Sequence, residues 1–253
     1  MGGNWVRRGL DVLVVATLVG AGWVAAQPVT RSQVQPRSEL FDRLLQRSYR
    51  RAVRDAYHAD ASEIEAQLWS ISPDNSRLHW REDNGDRWVL VNTWTAWDGY
   101  NDRVGSPMTL NREIWVTPVP QVRQFGEALD YTPANLTLRL EQYLGLPPDS
   151  GKTKFVELWV QPRDLFRPCP DAEIDDTRCE LQFSDRTSNR HQQWVLNLMM
   201  VSYQSDDGYP WTRLGYTYDW GSADTEVGAS EFLVREGARV RVVSVTDTAD
   251  YFE

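Results

Sequence analysis

Histidine and cysteine are scarce in this 253-residue sequence, which has three histidines, far apart, and two cysteines. Structural zinc sites are built from clustered Cys and His ligands, so this scarcity argues against a zinc centre. The sequence also has no glycine-rich phosphate loop and no Gly-x-Ser-x-Gly nucleophile elbow. It therefore lacks the motifs that mark P-loop nucleotide-binding proteins and α/β-hydrolases, and we predict no cofactor.

Positive charge is also in short supply. The chain has 27 Lys and Arg residues against 36 Asp and Glu residues, which gives a formal net charge of −9. Nucleic-acid binding depends on a surplus of cations that neutralise phosphates, so we expect no nucleic-acid partner. Hydrophobic residues make up 41% and charged residues 25% of the chain, as in an ordinary soluble globular protein.

The only long apolar run, Val12–Ala26, is shorter than the roughly 20 residues that a membrane-spanning helix needs. Arg7 and Arg8 precede this run and small residues end it, which is the pattern of a secretory signal peptide. We therefore predict a signal peptide over residues 1–26, with cleavage after Ala26 and export to the periplasm or the medium. The alternative is an uncleaved anchor, in which residues 12–26 hold the protein in the inner membrane and form its only membrane contact.

Residues 27–38 are polar and contain two prolines, so we interpret them as a linker. Residues 39–253 are predicted to form a single α+β domain. The domain is expected to contain an antiparallel sheet, an N-terminal helix that covers the sheet, and several shorter helices. Leu40 and the apolar residues that follow it at helical spacing predict that first helix.

Two regions predict antiparallel strand pairs. Glu65–Trp94 is interpreted as a β-meander, and its Asn84-Gly85 pair is a strong hairpin signal, because both central residues of a type I′ turn need positive φ. Glu231–Val245 is interpreted as a second hairpin around Glu236-Gly237.

Cys169 and Cys179 are separated by only ten positions. In an oxidising compartment two nearby cysteines most simply form a disulfide, and the spacing does not match the Cys-x-x-Cys redox motif. We predict a Cys169–Cys179 disulfide.

The segment Tyr209–Gly221 is the densest aromatic run in a tryptophan-rich chain. This run and the runs Val89–Thr95, Glu113–Thr117 and Asp164–Pro170 resemble those of a group of uncharacterised exported bacterial proteins. The likeness covers most of the chain after the predicted signal peptide. It implies export and a single domain, and no activity is attached to the group.

Alternation along a strand would place the large apolar residues of this run on one face and the remainder on the other. The apolar set, which we expect to pack in the core, is Leu214, Tyr216, Tyr218 and Trp220.

Twelve tryptophans are more than a core of this size needs. Exposed Trp and Tyr beside polar groups suit sugars, whose apolar ring faces stack on aromatic rings while their hydroxyls form hydrogen bonds. We therefore expect non-catalytic binding or an envelope-associated role, with a cell-envelope glycan or protein as partner. The candidate ligand-binding residues are Trp97, Tyr100, Trp211, Tyr216, Tyr218 and Trp220.

The alternative is a secreted enzyme. Asp219 and Glu231 would act as paired carboxylates, as in a glycoside hydrolase, and Arg213 would orient an anionic group. The segment Ser230–Val234 and the residues after Gly237 are also similar to the last motif of ADP-ribosyltransferases, where a glutamate precedes an apolar strand and a hairpin. The sequence has no Ser-Thr-Ser motif, which that family also carries.

The cysteine loop is acidic. Hard oxygen ligands of this kind suit Ca²⁺, but the loop lacks the glycine and the distal glutamate of an EF-hand, so a solvated acidic loop is the preferred interpretation and no metal is predicted. The weak candidate ligands are Asp171, Glu173, Asp175 and Asp176.

Overall fold

The computed structural model of this chain describes residues 38–204 and 208–253 and, at Pro133 and Ala134, the main chain only. The predicted signal peptide (1–26) and all but the last residue of the predicted linker (27–38) lie outside the described residues. Every described residue belongs to one compact unit, Pro36–Glu253. Within it, no helix has both the length and the apolar character needed to cross a bilayer.

Helices and strands alternate irregularly along the chain. The α-helices are α1 (Glu39–Ala56), α2 (Gln121–Glu127), α3 (Pro133–Tyr143) and α4 (Asn189–Ser202). The strands are β1 (Trp80–Asp83), β2 (Asp86–Thr95), β3 (Pro107–Thr109), β4 (Ile114–Pro118), β5 (Lys154–Val160), β6 (Leu165–Phe166), β7 (Tyr216–Tyr218), β8 (Val227–Ser230), β9 (Phe232–Val234) and β10 (Arg239–Asp247). Short 3₁₀ turns cover Ala61–Glu63, Asp98–Arg103, Pro162–Asp164 and Asp250–Phe252.

The main sheet is antiparallel. Its strand order is β3-β10-β5-β2-β4-β9-β6, with β1 paired to β2, while β7 and β8 form a separate two-stranded sheet. The predicted α+β class is therefore confirmed. One face of the sheet packs Val91, Leu158 and Val242 into the largest core cluster. The other face packs Phe155 of β5 against Leu140 of α3.

The turn at Asn84-Gly85 joins β1 to β2 as predicted. The two residues have φ values of 53° and 84°, and Asp83 pairs with Asp86 across the turn. The last strand of the predicted meander forms as part of β2, but the start of the meander is wrong, because no strand forms between Ser38 and His79. The amides of Leu68 and Ile71 bond instead to the carbonyls of Thr177 and Ile174, so this segment pairs with the cysteine loop.

The predicted hairpin over Glu231–Val245 is also wrong. Strands β9 and β10 both form, but β9 pairs with β4 and β6, while β10 pairs with β3 and β5. Three strands, β5, β2 and β4, lie between them in the sheet. The connection between β9 and β10 crosses the sheet instead of folding back. Along it, the amide of Arg235 donates to the carbonyl of Asp164, and the amide of Gly237 donates to the carbonyl of Leu110.

Helix α1 begins at a Ser38 cap, whose hydroxyl accepts a hydrogen bond from the amide of Phe41. Its buried residues, among them Leu45 and Tyr49, pack with Trp220 and Tyr218 of the aromatic run. The structure therefore does not confirm that an N-terminal helix covers the main sheet, since β7 belongs to the separate two-stranded sheet.

The feature that creates the main cavity is a separation of β2 from β4. The two strands pair only at Val91–Pro118 and Asn92–Thr117. Beyond that point β2 continues alongside β5 as far as Thr95, whereas Ile114–Val116 pairs with β9. Thr117 donates a hydrogen bond of 2.7 Å to the Asn92 side-chain oxygen, which holds the strands together where they diverge. The space between the diverging strands is available to a ligand.

Candidate functional site

The aromatic run Tyr209–Gly221 is built mainly into the core. Leu214, Tyr216 and Trp220 are 1%, 0% and 9% exposed, which confirms the prediction that these side chains are buried. Tyr218, the fourth member of the predicted core set, is only partly buried. Tyr216 donates to the Glu63 carbonyl at 2.9 Å, and Trp220 donates to the Leu146 carbonyl at 2.9 Å. The polar tips of these rings are thus used to tie the run to its neighbours.

The cysteines form the predicted disulfide, with their Cα atoms 6.3 Å apart. The aromatic run packs on this bond at Gly215, whose φ is +77°. A Cβ at Gly215 would lie 2.6 Å from the Cys179 Sγ and 2.8 Å from the Arg167 Cδ. Only glycine fits here, because the position combines a left-handed backbone with a close approach.

Two of the three candidate catalytic residues have structural partners. Asp219 is 4% exposed and accepts two hydrogen bonds from Arg139, at 2.8 and 2.6 Å. Arg213 donates to the carbonyl of Tyr57, one residue beyond α1, at 2.8 Å. Neither residue lines the main cavity, whereas Glu231 does. The structure does not bring the three together in that cavity.

The main cavity, which we call the cleft, has a volume of about 920 Å³. The diverging ends of β2 and β4 form two of its walls, and parts of α4 and of the segment Tyr209–Trp211 form others. Small-molecule sites typically occupy roughly 300–1,000 Å³, so the cleft is large enough for several sugar rings.

Aromatic side chains line much of the cleft. Trp97, Trp115 and Tyr209 are 43%, 40% and 50% exposed, whereas Trp94 and Trp211 are buried behind them. The ring of Trp97 lies on Gly99, where a Cβ would come within 2.1 Å of it. The Trp97 and Tyr100 rings also pack nearly perpendicular to each other, at 4.7 Å between centroids. Trp97 is therefore held in place while much of its surface stays accessible.

Glu231 is the most unusual polar residue of the cleft. It follows the last residue of β8, its amide bonds to the carbonyl of Gly215, and its side chain is 6% exposed. Its Oε1 is buried and has no hydrogen-bond partner among the described residues. Burial raises the pKa of Glu231 from the ordinary value of 4.5 to about 8. Near neutral pH the group is therefore mainly a carboxylic acid, which can donate a hydrogen bond as well as accept one.

Two cations line the same cleft. The Arg112 guanidinium lies 5.9 Å from the centre of the Trp97 ring, and Lys152 lies in the loop before β5. Burial, together with the nearby positive charge of Arg112, lowers the pKa of Lys152. Cations and aromatic rings thus occur on one surface.

Of the predicted ligand-binding residues, four line the cleft: Trp97, Tyr100, Trp211 and Tyr218. Tyr216 and Trp220 are core residues outside it. The lining residues that sequence reasoning missed include Trp94, Arg112, Trp115, Lys152 and Tyr209. Hydrophobicity and β propensity place Trp94 and Trp115 in strands, but only the separation of those strands makes the residues accessible to a ligand.

The acidic cysteine loop folds around a cation of the protein itself. Arg167 is fully buried and donates to the carbonyls of Asp176 and Glu173, at 2.7 and 3.2 Å. Carboxylate oxygens of Asp171, Asp176 and Glu180 lie within 4.8 Å of one another, a grouping that does not include Glu173 or Asp175.

Comparison of the chain with known protein families, with curated proteins and with solved structures gave no significant match.

Proposed function

We propose that this protein binds a glycan in the cleft between β2 and β4 and acts as an exported, non-catalytic binding protein. The observation that carries the proposal is the combination, in one cavity of about 920 Å³, of half-exposed aromatic rings with a buried carboxyl group that has an unpartnered oxygen.

The chemistry of the lining suits a sugar. The apolar faces of sugar rings stack on Trp and Tyr, and Trp97, Trp115 and Tyr209 offer accessible rings for this purpose. A neutral Glu231 carboxyl can both donate to and accept from a hydroxyl group. A buried polar atom without a partner costs roughly 1–3 kcal/mol, so a ligand that satisfies the Glu231 oxygen recovers that free energy on binding.

Export is the cellular part of the proposal. The Cys169–Cys179 disulfide fits a protein outside the cytoplasm, because structural disulfides persist in oxidising compartments. The charge and apolar pattern of residues 1–26 supports the same location. Localisation of a C-terminally tagged chain tests it, and a protein found in the cytosol with free thiols would contradict it.

Binding is tested by isothermal titration calorimetry and tryptophan fluorescence against a panel of neutral and acidic oligosaccharides. Tyr209→Ala and Trp115→Ala should weaken binding by about tenfold or more, since stacked aromatic residues often dominate binding energies. Tyr57→Ala is the matched control, because Tyr57 is 51% exposed, close to the 50% of Tyr209, and does not line the cleft. If the chain binds no member of the panel, the proposal fails.

One observation favours a second candidate function, acid catalysis on a bound glycan. A carboxyl group with a pKa of about 8 is suited to be a general acid near neutral pH. Asp219, the predicted second carboxylate, is paired with Arg139 outside the cleft. Release of reducing ends from bound oligosaccharides, abolished in Glu231→Gln, would favour the enzyme over the binding protein.

A further inference from the structure

Lysine is rare in this chain, and both of its lysines lie close together. They are Lys152 and Lys154, among 27 basic residues in total. Lys154 is buried and pairs with Asp98. Lys152 is half-buried, lines the cleft, and has neither a salt bridge nor a hydrogen bond among the described residues. A desolvated ammonium group without a partner is costly to maintain.

Other shielded cations of the described chain are paired. Arg139 pairs with Asp219, Arg123 pairs with Glu157, and the buried Arg167 donates to backbone carbonyls. The fold thus supplies a partner to a buried or half-buried cation elsewhere. The absence of one at Lys152 is a local exception.

Arg112 makes the environment of Lys152 still less favourable for a positive charge. It lines the same cleft and lies near enough to Lys152 to lower the pKa of that lysine, so the two like charges repel each other. Within the described chain no carboxylate lies within 4.0 Å of either group. Their unfavourable interaction would be relieved by an anion placed between or beside them.

The charged residues that line the cleft also favour an anionic ligand. Among the described residues, the Arg, Lys and Glu side chains that line the cleft are Arg112, Lys152, Glu113 and Glu231. Glu113 accepts a hydrogen bond of 2.8 Å from the Trp194 indole, and burial keeps Glu231 mainly neutral near pH 7. The described lining therefore carries more positive than negative charge, in a protein whose formal net charge is −9.

We infer that the glycan bound in the cleft is acidic, and that Arg112 and Lys152 bind its oxyanion, a carboxylate or a phosphate, while the aromatic rings bind the sugar faces. This inference rests on the proposed glycan-binding function. A guanidinium and an ammonium group both form charge-assisted hydrogen bonds with such oxyanions, and these are roughly twice as strong as neutral ones.

The test compares sugars that differ only in charge. Oligogalacturonate and oligoglucuronate are each titrated against their methyl esters, and glucose 6-phosphate is titrated against glucose, by calorimetry at low salt. We expect at least one acid to bind about tenfold or more tightly than its neutral counterpart, and this preference should shrink as salt is added. The uronate and phosphate pairs distinguish the two sources of the oxyanion.

Variants then assign the preference to the two cations. Lys152→Gln and Arg112→Gln should each remove most of the preference for the acid over its neutral counterpart, which is read as the ratio of the two affinities. Arg239→Gln is the matched control, because Arg239 is exposed on β10, lies outside the cleft and also carries one positive charge. Lys152→Arg should retain the preference, and unchanged thermal melts would show that the variants fold.

The failure of this inference differs from the failure of the proposed function. If neutral sugars bind as tightly as their acids, or if Arg239→Gln weakens acid binding as much as Lys152→Gln does, the inference is overturned and the glycan site remains. If no sugar binds at all, charged or neutral, both are overturned.

Discussion

Gly215 lies directly against the disulfide, so that a Cβ added there would come within 2.6 Å of the Cys179 Sγ. The aromatic run and the cysteine loop are thereby joined at one backbone position. The contact also places the Arg167 side chain, which the acidic loop encloses, beside the same glycine. Stability should be most sensitive to substitution where these parts meet.

Gly215→Ala should therefore destabilise the protein strongly. The substitution adds left-handed backbone strain, with φ at +77°, to a clash with a sulfur atom that the disulfide holds in place. We expect a loss of about 3 kcal/mol or more, measured by urea denaturation. Gly237→Ala is the control, since its φ is +83° but nothing lies within 4 Å of an added Cβ, and it should cost only about 1–2 kcal/mol. Equal losses would contradict the packing argument.

Loss of the disulfide should cost less. The bond closes a loop with a sequence separation of 10 residues, and the chain-entropy model gives about 2–3 kcal/mol for a loop of this length. The Cys169→Ser/Cys179→Ser double variant should show this decrease in the free energy of unfolding. Addition of reductant should destabilise the parent protein but not the variant, and an equal effect on both would show that the bond does not stabilise the fold.

The Arg139–Asp219 pair should be important for stability and unimportant for binding. Asp219→Asn leaves a partly buried guanidinium without its counter-ion, and we expect a loss of about 2–3 kcal/mol. The control is Glu82→Gln, which breaks the exposed Arg87–Glu82 pair of 3.0 Å and should have little effect. Glycan affinity measured at a temperature where both variants are folded should be unchanged. A large loss of glycan affinity in Asp219→Asn would show that this residue contributes to binding, contrary to this prediction.

Glu231 should make the protein less stable as pH rises. Its pKa is about 8 in the folded state against 4.5 ordinarily, so between these values the folded state binds more protons than the unfolded state. Because stability falls with pH wherever the folded state binds the extra proton, the contribution is fully present below about pH 4.5. It is lost progressively up to about pH 8, and its total size is on the order of several kcal/mol.

Urea denaturation at several pH values from 5 to 8.5 checks this prediction. Glu231→Gln stays neutral throughout, so its stability should decline less with pH than that of the parent protein. Glu236→Gln, an exposed change on the connection between β9 and β10, should retain the slope of the parent. If the parent and Glu231→Gln have parallel pH profiles, Glu231 does not titrate as described.

Local signals predicted several elements well. The Asn84-Gly85 turn needs positive φ at both residues, which that residue pair favours. Apolar residues at helical spacing predict helix α1, although they do not predict the surface on which it packs. The ten-residue spacing of the cysteines, together with the predicted signal peptide, predicts their bond. Each of these features depends on residues that are close together in sequence.

Other features could not be predicted in this way. A glycine between two apolar runs suggested that β9 and β10 pair with each other, yet each finds its partners elsewhere in the sheet. In the alternative interpretation as an enzyme, Asp219 is paired with Glu231 as a second carboxylate, but its partner in the structure is Arg139, 80 positions away in sequence. Strand order and ion pairing depend on contacts that alternation and spacing do not encode.

The sequence by itself determined the α+β class, the disulfide and the abundance of aromatic residues, since composition and local periodicity carry that information. Only the tertiary structure decided which of those aromatic residues are accessible. β2 and β4 diverge after a single short stretch of pairing, which opens a cleft beside Trp97 and Trp115. The Glu231 carboxyl lines this cleft but is almost completely shielded from solvent. The physical reason is that the exposure of a side chain depends on which strands lie beside it in the sheet. The residues of those neighbouring strands lie far apart in the chain.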